Sequence, residues 1–188
     1  MKHNGIIRRI EENPIIAAVK DEDVDEAINS QVSTIFLLHA DIFNIKDIVD
    51  KIKNAGKYVF IHIDFLEGIG RDTKSTDYIC EVIVPHGIIS TKNSNIRYAM
   101  HKGIFTIQRA FLIDSMSYVN SIKTAQAIKP DMIEAMPGPM PNVIKRISKQ
   151  LPMPVIAGGL VETKEEIMEI LNAGALAVST GKRELWEV

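Results

Sequence analysis

The chain has a single cysteine, Cys80, which excludes an intramolecular disulfide and points to a reducing compartment. Aromatic residues make up only 6% of it, and no basic segment interleaved with aromatics, the mark of an RNA-recognition module, is present. Neither sign of charge dominates, with 22 Lys and Arg against 24 Asp and Glu and a formal net charge of −2. That balance excludes a bulk polycation that coats nucleic acid, though not a local basic patch. No apolar run approaches the roughly 20 residues of a membrane span, and no N-terminal stretch has the pattern of a signal peptide. The expectation is a cytoplasmic protein without membrane contact. Low apolar content and high net charge, which together signal disorder, are both missing: 46% of residues are hydrophobic and 24% charged. At 188 residues, one domain over 1–188 is expected.

What the sequence does have is alternation of short β-rich runs with amphipathic helical stretches. The runs are Ile15–Lys20, Thr34–Ala40, Tyr58–Phe65, Gly87–Lys92, Phe105–Ala110, Met132–Met136, Val155–Gly159 and Ala175–Thr180. Several are apolar nearly throughout, as parallel strands covered on both faces must be. Between them, Asn44 is placed to cap a helix with the stripe Ile45, Ile48, Val49 and Ile52, ended by Gly56. Thr163 and Glu166 form a capping-box pattern ahead of Ile167 and Ile170, with Gly174 as the stop. Asn93 and Gly103 bracket another helix, Ser117 opens one reaching Lys129, and Pro141 suits a first turn.

Eight β-α units call for a parallel sheet with helices outside it. Closure into a (β/α)₈ barrel of TIM type leaves no edge strand exposed and is the favoured architecture. The length argues the other way, since such barrels usually take about 200–250 residues or more. This barrel must therefore be minimal, with some helices cut to a turn or two. An open, doubly wound sheet is the alternative.

Ligands of such a barrel bind where strands end and loops converge. Polar residues that end otherwise apolar runs are Lys20, His39, His62, Asp64, Lys92, Gln108, Arg109 and Glu134, followed by the pair Gly158–Gly159. Burying them unpaired costs several kcal/mol, so they line a ligand cup or pair among themselves. The seventh and eighth units carry the sharper signal. Gly158–Gly159 follows one strand, and Ser179, Thr180 and Gly181 follow the next. Glycines let backbone N–H groups approach an anion, and loops after strands seven and eight commonly hold phosphate in this fold. A tight turn beside crowded packing is the plainer reading of Gly158–Gly159.

His62 and Asp64, two apart, are expected to share one face near a strand end. With His39 and Glu134 they make an acid–base set, or brace the rim through a His–Asp hydrogen bond; no resident metal is expected. The Glu67–Thr73 loop suits a mobile flap, and Met136–Pro141 a stiff turn. For a polyanion the candidates are Lys145, Arg146 and Lys149, then Lys51, Lys53 and Lys57, then Lys182 and Arg183, charges that more often form a solvated face.

The ordered set Val59–Gly68, Arg71–Asp72, Gly87–Lys92, Thr106–Arg109, Leu112–Ser115, Pro130–Asp131, Glu134 with Pro137–Gly138, Ala157–Leu160, and Ala177–Thr180 with Leu185–Trp186 resembles the glycerol-3-phosphate responsive antiterminators. The resemblance runs from about Pro14 to Trp186. It implies a barrel that binds glycerol 3-phosphate and, when liganded, a leader mRNA of a glycerol uptake operon, with no catalytic residues and no cofactor. It implies phosphate on Gly158, Gly159, Ser179 and Thr180; His62, Asp64, Lys92, Gln108, Arg109 and Glu134 fall within matching motifs, and Lys20 and His39 in weaker stretches. After Thr180 the family more often has a polar residue and then Asn or Asp, where this chain has Gly181–Lys182–Arg183. The competing reading is a barrel isomerase or lyase of a small phosphorylated metabolite, in which Lys20 or Lys92 forms a Schiff base.

Overall fold

Short runs of Ile, Val, Phe and Ala build the strands β1 (Ile15–Val19), β2 (Thr34–Leu37), β3 (Tyr58–His62), β4 (Gly87–Ser90), β5 (Phe105–Phe111), β6 (Met132–Met136), β7 (Val155–Gly158) and β8 (Ala177–Thr180). All neighbours pair in parallel, and β1 also pairs with β8 through Ile15↔Val178 and Ile16↔Ser179, which closes the barrel. The architecture is thus the (β/α)₈ barrel and not the open sheet. The structure is a computed structural model that describes residues 3–70 and 72–187.

Alternate residues of the strands fill the lumen. Ile16, Phe36, Phe60, Ile89, Phe105, Ile107, Met132, Ile156 and Ala177 form one buried cluster. Phe60 meets Phe36 and Phe105 edge to face at 5.7 and 5.6 Å, the geometry aromatic quadrupoles favour. The other parity packs outward, where Ile35, Ile61, Ile88, Ile133, Val155 and Val178 meet the helices.

The helices are α1 (Asn4–Glu12), α2 (Val24–Asn29), α3 (Ile45–Asn54), α4 (Thr73–Tyr78), α5 (Asn93–Lys102), α6 (Ser115–Ile128), α7 (Pro141–Gln150) and α8 (Lys164–Asn172). Economy of length comes from α2, six residues long, and from the three-residue turn Arg183–Leu185 that stands in for a helix after β8, whereas α4 runs on into a π-helical turn, Ile79–Ile83. Helix α1 has no counterpart among the sequence expectations. Its Ile10 is fully buried with the lumen cluster, so α1 closes the barrel at the N-terminal ends of the strands. The opposite end is left for function.

Caps follow the sequence closely, with two differences. Thr163 and Glu166 exchange bonds of 3.2 and 3.1 Å as expected, and Pro141 is in the first turn of α7. Helix α6 begins earlier than Ser117, because Asp114 accepts the Ser117 amide at 2.7 Å and makes Ser117 the third residue of a capping box. Asn44 occupies the N-cap of α3, but its side chain does not cap; Oδ1 accepts the Asp41 amide at 2.9 Å and Nδ2 donates to Asp21 at 3.1 Å.

Candidate functional site at the open end of the barrel

Period-two alternation carries the lumen parity of Phe60, Ile107, Met132, Ile156 and Ala177 to His62, Arg109, Glu134, Gly158 and Ser179. These five lie at the C-terminal ends of β3, β5, β6, β7 and β8. Glu134, fully buried, accepts Arg109 Nε and Ser179 Oγ, both at 2.7 Å. Gly158 is where it is because nothing larger fits: a Cβ there would be 2.7 Å from Glu134 Oε1 and closer still to Ser179 Oγ.

His62 is fully buried, and neither ring nitrogen has a hydrogen-bond partner. Its ring stacks on Phe65 at 4.4 Å. Burial, then the nearby Arg109 charge, pushes its pKa down to about 4, so the imidazole is neutral near pH 7. A buried polar group without a partner is costly. A ligand hydroxyl at this position would satisfy it.

The expected His62–Asp64 face is not formed. Strand β3 ends at His62, and Ile63–Phe65 turns into a 3₁₀ helix that carries Asp64 away to the rim. There Asp64 accepts Ser90 Oγ, the Thr91 amide and Thr91 Oγ1, each at 2.7 Å, and Asn95 Nδ2 at 3.2 Å. Burial alone would raise its pKa, but the Thr91 and Ser90 donors outweigh this and hold it low. Ser90, Thr91 and Asn95 were not singled out individually from the sequence, which shows a polar strand end but not what it clamps.

Gln108 and Thr180 have the outward parity. Gln108 donates to Asn93 at 2.8 Å, leaves its Oε1 buried without a partner, and faces a polar cleft of about 350 Å³ against α6. Thr180 Oγ1 donates to the Val161 carbonyl at 3.0 Å, while its own carbonyl accepts Trp186 Nε1 at 2.9 Å. It therefore fixes the β7 and β8 loops from behind. Lys20 is exposed beyond β1, and Lys92 sits at the N-cap of α5. His39 bridges Asp21 at 3.3 Å and Glu67 at 3.1 Å, apart from the lumen set, and the Glu67 and Asp21 hydrogen bonds raise its pKa. Among the described residues no group of three or more His, Cys, Asp and Glu is arranged to hold a metal ion.

The β7–α8 loop is backbone-strained. Gly159 and the following Leu160 both have positive φ, 74° and 60°, a conformation rare for leucine. Leu160 is 74% exposed, so packing does not explain it. The amides of Gly159, Leu160 and Gly181 donate to no protein acceptor among the described residues. Free N–H groups on two adjacent loops are donors of the kind an anion requires. Gly138 of the β6–α7 turn ties in through its amide, which donates to the Gly159 carbonyl at 3.0 Å.

On the other side, the Glu67–Thr73 loop is anchored at its start. The Glu67 amide donates to Ala40 O and the Ile42 amide to Glu67 O, both at 3.0 Å. Asp72 caps α4 through the Ser75 amide at 3.0 Å. Arg71 lies outside the described residues.

A pH dependence follows from His62. Its folded pKa of about 4 lies below the ordinary value near 6.5, so the unfolded chain binds the extra proton first. Stability is full above pH 6.5 and falls as pH drops from there toward 4, by about 1.4 kcal/mol per unit of difference, or about 3 kcal/mol in all. Half-buried His86, also near 4, has the same sign, and His39 the opposite one. Urea unfolding at pH 7.5 and pH 5 is expected to show a smaller acid loss in His62→Gln than in wild type. Equal losses would place the His62 ring in water.

Known proteins share the fold and the sequence of this chain. A family model described as glycerol-3-phosphate responsive antiterminator matches residues 15–186. A glycerol uptake operon antiterminator regulatory protein from Listeria monocytogenes superposes with a TM-score of 0.88 at 34% identity, covering 92% of this chain and 94% of that one. A glycerol uptake operon antiterminator-related protein from Thermotoga maritima gives 0.83 at 34% identity, covering 93% and 98%. The Escherichia coli protein YgcP, described as uncharacterized, is 41% identical over 182 residues, 96% of this chain and 95% of its own. The chain belongs to the glycerol-3-phosphate responsive antiterminator family.

Proposed function

We propose that the chain senses glycerol 3-phosphate at the open end of the barrel and, when liganded, binds a leader transcript of a glycerol uptake operon to prevent premature termination, with no catalytic turnover. The family supports a regulatory role. The observation that carries the ligand is His62, buried, neutral and without a partner beside the Arg109–Glu134–Ser179 cluster. A neutral imidazole can accept from one hydroxyl and donate to another, which suits a polyol better than a bare anion.

In this reading the phosphate rests on the amides of Gly159, Leu160 and Gly181 and on Ser179, with Thr180 bracing the two loops and Gly158 giving the room. Arg109 spends Nε on Glu134 and keeps its remaining N–H groups for the phosphate edge. His62 and Glu134 receive the glycerol hydroxyls. Asp64, Lys92 and Gln108 shape the rim, and Lys20 and His39 lie outside the first layer of contacts. Regulation requires that ligand favour one arrangement of the loops over another.

Calorimetric titration with glycerol 3-phosphate, with glycerol and inorganic phosphate as controls, tests this. Saturable heat is expected from the phosphoester alone. Arg109→Ala, which removes a charge-assisted contact, should weaken binding about tenfold to a hundredfold. Equal binding of inorganic phosphate and the phosphoester would remove His62 from the site, and no heat at all would sink the assignment.

A further inference from the structure

The basic groups picked out in the sequence have different fates. Lys51 pairs with Asp25, Lys53 donates to the Val84 carbonyl, and Lys57 is buried between the carbonyls of Ser30 and Val32. Arg183 pairs with Asp23 and Glu26. Elsewhere Arg8, Lys46 and Lys102 also meet carboxylates. Lys182, like Lys20, Lys92, Arg97 and Lys164, is in no ion pair among the described residues, but these stand one or two to an element, whereas the α6–α7 face gathers five cations. It exposes Lys123, Lys129, Lys145, Arg146 and Lys149, none of them in an ion pair among the described residues. From Ser115 to Pro152 the chain has two carboxylates only: Asp131, bound to Thr106, and Glu134, buried in the lumen. Glu169 of α8 shares a cleft with Lys145 and marks the edge of the patch. Five unneutralised cations on one face of a chain of net charge −2 are a concentrated local field.

At the upper end of the same face is a cleft of about 220 Å³ lined by Leu112, Tyr118, Val119, Met140, Val143 and Arg146, with Asp114 and Ser115 at its mouth. Arg146 lies over the Tyr118 ring at 4.7 Å, and the Tyr118 hydroxyl is buried without a partner. Sites for drug-sized ligands run to about 300–1,000 Å³; this one has room for a single flat group. An apolar slot with one aromatic ring, one guanidinium and one free hydroxyl, beside a row of lysines, matches an unstacked base on a phosphate backbone.

The slot is joined to the ligand loops. The Gly138 amide donates to Gly159 O, Met140 to Gly138 O at 2.6 Å, and Leu112 to Met136 O at 2.8 Å, so two walls of the slot hang on the turn that touches the phosphate loop. We propose that the α6–α7 face is where single-stranded RNA docks, its backbone along Lys123, Lys129, Lys145 and Lys149 and one unpaired base in the Tyr118–Arg146 slot. This rests on the RNA-binding reading above and adds the surface.

The test uses the full chain, with glycerol 3-phosphate present and absent, and a short single-stranded RNA pool of random sequence carrying 4-thiouridine. Wild type is expected to bind with a steep salt dependence and to crosslink to peptides of α6 and α7. The triple variant K123E/K145E/K149E should bind at least about tenfold more weakly, with a salt slope shallower by about 2. Tyr118→Leu should weaken binding without changing the slope. Both should titrate glycerol 3-phosphate like wild type, which shows that they are folded. Wild-type binding that the triple variant leaves unchanged, or crosslinks confined to other helices, overturns this surface while RNA binding stands. No RNA bound by wild type in either condition overturns both readings. If polyglutamate binds wild type and not the triple variant while RNA binds neither, the face belongs to an acidic protein partner and the RNA proposal falls.

Discussion

Glu134→Ala is expected to lower the stability of the barrel by about 3–5 kcal/mol, the cost of removing one member of a buried ion pair. Glu134 is fully buried and Arg109 is only 7% exposed, so neither reaches enough water to be screened. With the carboxylate gone, the Arg109 guanidinium keeps its charge in the lumen, and Ser179 Oγ loses its acceptor at 2.7 Å. In a chain of this size the melting temperature should drop by about 10 °C. Removing both ends of the pair should be milder than removing one: Arg109→Met with Glu134→Met takes out the charges and keeps apolar volume, and such replacements are often neutral or better. Urea unfolding of the two single variants and the double one decides it. A loss below about 1 kcal/mol for Glu134→Ala would mean that water reaches the pair and that it is no buried scaffold for a ligand.

How much of this could be read from the sequence differs between strand and loop. The strands were legible because Ile15–Val19 and Ile35–Leu37 are apolar on both faces, which only a covered parallel sheet tolerates. Parity separates lumen from exterior only once one inward residue of each strand is known. Phe60, Ile107, Met132 and Ala177 then set His62, Arg109, Glu134 and Ser179 inward and Gln108 and Thr180 outward, a division that the set of polar strand ends does not make by itself. Parity fails where the strand stops. Asp64 is in phase with His62 in the sequence, yet one 3₁₀ turn redirects it to Ser90 and Thr91, and no residue type announces that turn. Leu160 shows the same limit in the other direction, since its positive φ is imposed by the loop and leucine gives no sign of it. Charge is least legible of all. Lys51 and Lys145 look alike as letters, and only the placement of Asp25 neutralises the first. Helix α1 has no sequence expectation for a similar reason: Ile6, Ile7 and Ile10 lie ahead of the first strand, and only the closed barrel shows that they cover the N-terminal ends of the strands.

The second large effect concerns Gly158, where the space and the chemistry of the site meet. Gly158 has no positive φ, so a side chain there meets no backbone strain and the cost is purely steric. An alanine Cβ would stand 2.7 Å from Glu134 Oε1 and nearer to Ser179 Oγ, so Gly158→Ala must push apart the two groups that hydrogen-bond across it. Overpacking of this kind costs about 1–3 kcal/mol. Because the displaced groups are those assigned to the ligand, glycerol 3-phosphate affinity should fall about a hundredfold, about 2.7 kcal/mol at 25 °C. The neighbouring glycine behaves differently. Gly159→Ala meets the terminal methyl of Met136, a flexible side-chain end that can move aside, and its main cost is the positive φ of 74°, about 1 kcal/mol. Ser179→Ala in the Gly158→Ala background removes the closest clash while leaving Ser179 Cβ at an ordinary 3.4 Å. The double variant should therefore be more stable than the sum of the two single losses predicts, by about 0.5–3 kcal/mol. Strict additivity, with ligand affinity untouched by Gly158→Ala, would show that Gly158 is merely the end of a strand and that the phosphoester sits elsewhere.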